Sequence, residues 1–276
     1  NILLFIWQMG FAFRLSRPQV PAKMALWAAL SASIGLWISI EGIIGTAMIL
    51  AALTLAWITR GGIFLRRLGQ FLAALCLGLV VALVLERPVN DLMAVEFDRL
   101  SLVHLALFGI LTLCVLAALA LPGLSAQKPY RLGLVIAGAA ITLAVMGLWV
   151  PEFFRGPMAA MDPLVYEVWF RNNAEVSPIL KFDDFRRTGP KALAHLGLVL
   201  PAIPALLYQI RYSQAQRRRN WAVLAVFLAA TLLLALSEAR WMGYPQVLAL
   251  PPCVVLLQAV FYRFGGPILG RTAVRV

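Results

Sequence analysis

Charge is scarce in this sequence, and negative charge is scarcer still: 13% of the 276 residues are charged, with 12 Asp and Glu against 24 Lys and Arg. A chain that is 62% hydrophobic, with a mean hydropathy of +0.87, has too little polar surface to cover a water-soluble globule. That excludes a soluble domain. Cysteine and histidine are nearly absent, at three and two residues. Cys76, Cys114 and Cys253 lie inside apolar runs without metal-ligand spacing, which excludes a disulfide framework and makes them reduced packing residues. The net charge of +12 comes from short basic clusters between apolar runs, a distribution that marks membrane topology and excludes nucleic acid as a partner.

What is abundant is apolar sequence in spans of helical length. The runs are 2–13, 24–40, 43–58, 70–85, 100–121, 132–150, 192–210, 221–236 and 242–261. Their Leu/Ala-rich composition favours helices over barrel strands, which would alternate polar and apolar residues. The expectation is an all-α, polytopic transmembrane bundle of about nine segments, forming a single transmembrane domain over 1–276. Run 2–13 is too short to cross a bilayer core at ~1.5 Å per residue, and the first residue is Asn1, so the sequence reads as the downstream part of a longer protein. It does not resemble a signal peptide, since no basic segment precedes the run.

The charges orient the bundle. Basic residues cluster in 14–23, 60–67, 128–131, 211–219 and in the tail with Arg263, Arg271 and Arg275, whereas all the acids fall between these clusters. Positive residues accumulate in short cytoplasmic loops, so the acidic side is periplasmic or extracellular. The expected location is a bacterial cytoplasmic (inner) membrane, with the active side facing the periplasm. The longest outer connector, 151–191, carries Phe153, Phe154, Met158, Met161, Trp169 and Phe170 among its polar residues. Its length and aromatics predict a functional loop lying on the membrane over a site.

Ionisable residues at helix ends are the candidates for chemistry: Glu41, Asp98, Arg99, His104, His195, Glu238 and Arg240, with Glu175 from the long loop. Charge at a membrane edge is costly and marks function by default, although each such residue also reads as an interfacial anchor. Asp98 suits the N-terminus of the helix that follows it. His104 is placed to bind phosphate, to shuttle a proton, or to hydrogen-bond a neighbouring helix. Arg240 beside Trp241 fits either a phosphate clamp or an aromatic-belt anchor.

In the long loop, Ala174-Glu175 followed by Pro178 resembles the Ser/Thr-Val/Ile-x-Glu motif, with a Pro three residues beyond the Glu, of oligosaccharyltransferase catalytic subunits. These are polyprenol-dependent membrane glycosyltransferases of the GT-C class. Asn172 and Asn173 stand where the family has Ser/Thr and Val/Ile. The run Ser237-Glu238-Ala239-Arg240-Trp241 is similar in position to the site where the family places a donor-clamping Arg.

The resemblance implies sugar transfer from a polyprenyl-phosphate-linked donor at the outer membrane face. It implies a divalent metal, Mg or Mn, held partly by Glu175 as the catalytic carboxylate. Arg240, His104, Arg99, Asp98, Glu41, His195 and Glu238 would line the donor site. The family's first acidic outer loops, with the catalytic Asp, would precede Asn1, and its large soluble C-terminal domain is not part of this sequence. Protein N-glycosylation is therefore not carried over. The competing expectation is a transporter or flippase for a lipid-linked or anionic solute, which would place ionisable groups at mid-membrane and show paired repeats.

Overall fold

The computed structural model describes residues 2–123, 126–155, 162–170, 173–180 and 184–264. Of these, 84% are helical, and there is no strand among them. Asn172, Asp183, Arg271 and Arg275 lie outside the described residues. The α-helices are α1 Ile2–Leu15, α2 Lys23–Ile38, α3 Ile43–Arg60, α4 Gly62–Glu86, α5 Leu102–Ala120, α6 Lys128–Trp149, α7 Pro163–Val165, α8 Phe185–Leu196, α9 Val199–Tyr212, α10 Ala215–Ser237 and α11 Gly243–Phe264.

A helix forms over every apolar run, yet length separates them. Among the described residues, six helical stretches are long and apolar enough to cross a membrane: Ile40–Arg60, Gly62–Glu86, Leu102–Ala120, Lys128–Trp149, Ala215–Ser237 and Ala239–Tyr262. The pair Phe185–Leu196 and Val199–Tyr212, bent by 45°, makes up to seven. The nine expected segments include α1 and α2, which at 14 and 16 residues are shorter apolar helices below the usual length of a span. Large apolar side chains such as Leu3, Trp7, Leu77, Leu113 and Leu148 are exposed. An outer surface of that composition is matched to hydrocarbon and not to water, so the chain is a multi-pass membrane protein.

The chain forms two compact units, Asn1–Pro163 and Leu164–Val276. In the first, α2 packs on α4, α1 on α3, and α4 on α5, with α6 against α5 and α3. Small residues allow the close approach: Ala25, Ala28, Ala29 and Ala32 of α2 are fully buried, and a Cβ on Gly78 of α4 would overlap Ser33 of α2. A wedge between three helices fixes their spacing. Gln8 of α1 is buried, its Nε2 donates to Ser31 O at 3.2 Å, and Gly35 and Gly45 make room for its amide.

At one end of this unit the arginines tie off backbone carbonyls. Arg67, 4% exposed, donates to the carbonyls of Leu15, Arg17, Pro18 and Val20, and Arg60 donates to Ser16 O at 2.6 Å. Arg131 reaches Trp57 O, Ile58 O and Ala126 O. Helix C-termini leave carbonyls without intrahelical partners, and guanidinium groups supply them. Gly61 completes the α3 terminus at φ 102°, a conformation that glycine adopts without strain, and Arg131 lies against the space where a Cβ would stand. The opposite end carries Glu41, Glu86, Asp91, Glu96, Asp98 and Glu152, in keeping with the expected segregation of acids.

In the second unit α9 and α10 pack on α11. The helix break at Gly197–Leu198 frees carbonyls that an unbroken helix would use. α11 meets the break twice: Gln246 Nε2 donates to the freed His195 O at 3.1 Å, and Cys253 Sγ adds a second donor, at 3.3 Å, to Leu198 O, the N-cap carbonyl of α9. The 151–191 connector carries short helical turns among its described residues. It contains 3-10 turns at Pro151–Arg155 and Ala174–Val176, a π turn at Tyr166–Phe170, and the start of α8 at Phe185. Arg186, Arg187 and the Gly189-Pro190 pair hide that start in the sequence, since Pro inside a helix usually marks its end.

Candidate functional site

Two polar clusters gather the sequence-predicted residues, one in each unit. In the second unit, the turn bearing Glu175 is built locally. Asn173 Oδ1 accepts the Glu175 N–H at 3.0 Å, an Asx-type turn, and Asn173 O accepts from Val176 N at 3.3 Å and Ser177 Oγ at 3.4 Å. The turn is then joined to the one bearing Arg240: the backbone N–H of Ala239 donates to Ser177 O at 3.0 Å. Ile179, Met242 and Tyr244 are buried beneath. Glu175 itself is exposed.

Arg240 is held by its sequence neighbours. Its Nε donates to Glu238 Oε2 at 2.6 Å, and the same oxygen accepts the Trp241 indole N–H at 3.1 Å. The guanidinium carbon lies 4.9 Å from the Trp241 ring centroid, within cation–π range, and Trp241 in turn meets Tyr244. Both partners of the ion pair are part-buried. The arrangement is a cation held against an indole by one carboxylate, in which an anionic ligand and Glu238 would compete for the same guanidinium.

The first unit holds the other cluster, at the acidic end, between α4 and α5. Glu96 is gripped from two sides. Arg99 makes a bidentate pair with it, Nε to Oε2 and Nη2 to Oε1, both at 2.6 Å, while the buried Arg87 binds Oε2 and donates to Leu100 O at 2.7 Å. The hydrogen bonds from Arg99 hold the Glu96 carboxyl at about 2; partial burial opposes them, and Arg87 adds to the depression. The Nε of Arg87 is buried without an acceptor among the described residues.

His104 begins α5. At 1% exposure, its Nδ1 accepts the Ser101 N–H at 3.3 Å in a capping box, so the neutral ring carries its proton on Nε2. Ser101 Oγ donates to Glu96 O at 2.6 Å, which ties the cap to the ion cluster. Phe153 stands edge-on to His104 and also meets Phe97, both with centroids 6.5 Å apart.

Of the predicted residues, the fold brings Arg99 and His104 to one cluster, with Asp98 exposed beside them, and Glu238 and Arg240 to the other, with the Glu175 turn attached. Glu41 sits apart in the Ile40–Gly42 turn, where Ser39 Oγ accepts its N–H. His195 is exposed at the α8–α9 break, its carbonyl bound by Gln246. Arg87 and Glu96 are central members that sequence reasoning passed over. The Glu96–Arg99 pair is legible from its spacing of three, whereas the contact from Arg87 needs the loop to fold back.

Among the described residues, no three His, Cys, Asp or Glu side chains converge as metal ligands. Glu175 is the lone carboxylate of its turn, and the nearby Glu238 is already bound to Arg240 and Trp241. The side chains described do not form a divalent-metal centre around it. Comparison of the chain with protein-family models, with curated proteins and with solved structures finds no match.

Proposed function

We propose that this chain is a GT-C-like membrane glycosyltransferase, acting at the outer face of a bacterial cytoplasmic membrane on a polyprenyl-phosphate-linked sugar. The supporting observation is the Ala239–Ser177 hydrogen bond. It joins the two stretches that carry the family resemblance, the Glu175 turn and the Arg240 turn, which are far apart in sequence.

In this reading Arg240 binds the donor phosphate in place of Glu238, with the Trp241 ring against the guanidinium shielding it in part from water. The acceptor's lone pair forms a bond to the anomeric carbon. The carbon–oxygen bond to phosphate breaks, and the electron pair leaves with the phosphate, whose growing charge Arg240 stabilises. Exposed Glu175 faces acceptor or donor hydroxyls from the adjoining turn. A base takes the acceptor proton as the bond to the anomeric carbon forms.

The rival reading, a transporter or flippase, draws on the broken helix α8–α9, since discontinuous helices line transporter sites. Two carbonyls at that break are already occupied by Gln246 and Cys253, which favours a structural role for the bend. The deciding experiment reconstitutes the protein in vesicles with a radiolabelled polyprenyl-phosphate sugar. Label appearing in a hydrophilic acceptor supports transfer. Donor that changes leaflet without losing its sugar supports the rival and overturns the proposal.

A further inference from the structure

Cations occur at both ends of the second unit. One cluster, Arg211 with Arg217, Arg218 and Arg219, lies where α9 meets α10. The other, Arg186, Arg187 and Lys191, is exposed on α8, at the opposite end of α9. The preference of basic loops for one side of a membrane accounts for one of these clusters and leaves the other unexplained. The second is also unfavourably placed within its own helix. Arg186 and Arg187 stand in the first turn of α8, where the helix dipole is positive, and Asp184 before them makes no side-chain cap. No ion pair joins Arg186, Arg187 or Lys191 to an acid among the described residues. An anion from outside the chain would offset this concentration of positive charge.

Length sets the depth of α8 in a bilayer. α9 has 14 residues and spans about 21 Å, whereas a hydrocarbon core is about 30 Å thick. With Tyr212 at one boundary, about 9 Å of core remains beyond Val199. α8 is bent by 45° from α9, so it rises about 1.1 Å per residue along the α9 axis and crosses that remainder in about eight residues. The boundary therefore falls near Pro190. Arg186 and Arg187 stand at headgroup level, and Lys191 reaches it by extending its stem. The two faces of the helix agree with that depth. Phe185, Ala192 and Leu196 share one face, with Leu193 beside it, while Arg187, Lys191 and His195, spaced by four, share the other. Ala192 is buried, whereas Phe185 and Leu193 are 58% and 62% exposed, apolar side chains turned to hydrocarbon.

We propose that α8 is an interfacial helix that gathers phospholipids of net negative charge, with Arg186, Arg187 and Lys191 on their headgroup phosphates and Phe185 and Leu193 among their acyl chains. A zwitterionic headgroup offers the same phosphate but cancels its charge with a nearby cation, so the helix selects anionic lipid by charge. The selection is electrostatic at the membrane surface, and salt screens it. The inference needs only that the chain resides in a membrane, and it stands or falls independently of glycosyl transfer.

The test reads lipid composition at α8 itself. In a full-length background without the three native cysteines, Leu193→Cys carries a fluorophore, and the protein is reconstituted with phosphatidylglycerol or phosphatidylcholine bearing a quenching nitroxide near the headgroup end of the acyl chain. At equal mole fractions the phosphatidylglycerol is expected to quench about fivefold more strongly, the ratio that one cation near an anionic surface gives. Raised salt should remove the preference, which tests the idea without any change to α8. Replacing Arg186, Arg187 and Lys191 together by Gln should also remove it, whereas replacing Arg217, Arg218 and Arg219 by Gln at the other end should leave it intact. Equal quenching by the two lipids, no quenching by either, or a preference that survives salt or the α8 substitutions would each overturn the proposal. So would its loss in the Arg217 to Arg219 variant, or on adding inorganic phosphate at constant ionic strength, which would mark a soluble anion as the occupant.

Discussion

The backbone N–H of Ala239 donates to the carbonyl of Ser177 at 3.0 Å, and this one bond fastens the Glu175 turn to the Arg240 turn. Ala239 opens a 3-10 helix, and Glu238 before it is extended at φ −143°, ψ 125°. Both positions suit proline, which prefers the first helical residue and an extended predecessor. Ala239→Pro should therefore leave the helix intact and delete only the donor. Protease cleavage within 173–180 is expected to rise several-fold at unchanged helix content by circular dichroism, with transfer activity falling in parallel.

Arg240 shares Glu238 Oε2 with the Trp241 indole. If the guanidinium also receives the donor phosphate, Glu238 is its competitor. Glu238→Gln should then tighten donor binding, and Arg240→Lys, which loses the planar fork, should weaken it by about tenfold, the equivalent of ~1.4 kcal/mol. Donor titration of both variants in the same lipid checks this. Unchanged affinity in both would leave Arg240 as an interfacial anchor.

Glu96 sets a pH dependence at the acidic end of the first unit. Its carboxyl is held at about 2 when folded, against an ordinary value near 4.3. A depressed carboxyl contributes stability above its unfolded value and loses it as pH falls towards the folded one. Hydrogen exchange in 87–101 should accelerate as pH drops from about 4.5 to 2, after correction for intrinsic rates, and Glu96→Gln should abolish that dependence. Because Arg99 is 58% exposed, added salt should reduce the effect.

Gly45 leaves the space that the Gln8 amide fills; a Cβ there would overlap Oε1. Gly45→Ala is expected to destabilise the protein by about 1–3 kcal/mol, the usual cost of overpacking. Gln8→Ala removes the obstacle, so the double variant should be more stable than the sum of the two single changes predicts. Thermal unfolding in detergent gives the coupling.

Orientation is open to direct labelling. In a background without the three native cysteines, a Cys at position 162 should react with an impermeant maleimide from outside, and one at position 218 should not. The reverse pattern would move the proposed active side to the cytoplasm.

Some of this was readable along the chain. Composition alone requires a membrane solvent, because hydrocarbon is the environment in which so apolar a surface is stable, and the Leu/Ala runs mark where the helices lie. The charge clusters mark alternating ends, since each helix reverses direction. What periodicity does not carry is length across a boundary. Arg186, Arg187 and Pro190 read as loop yet lie in α8, while run 24–40 reads as a span yet forms a helix of 16 residues, among the shorter apolar ones.

The tertiary structure decided which charged residues meet. A spacing of three pairs Arg99 with Glu96, but the approach of Arg87 depends on the 87–101 loop folding back, a non-local contact that sequence spacing does not encode. In the same way, Arg67 reads as one more cytoplasmic cation, and only packing turns it inward onto four carbonyls. His104 becomes a helix cap, and Ser177 meets Ala239, because each buried backbone group needs a partner and takes the one the fold puts within reach. The sequence by itself determined the solvent of this protein and the places of its helices; how its polar groups are paired was settled only by the three-dimensional arrangement of those helices.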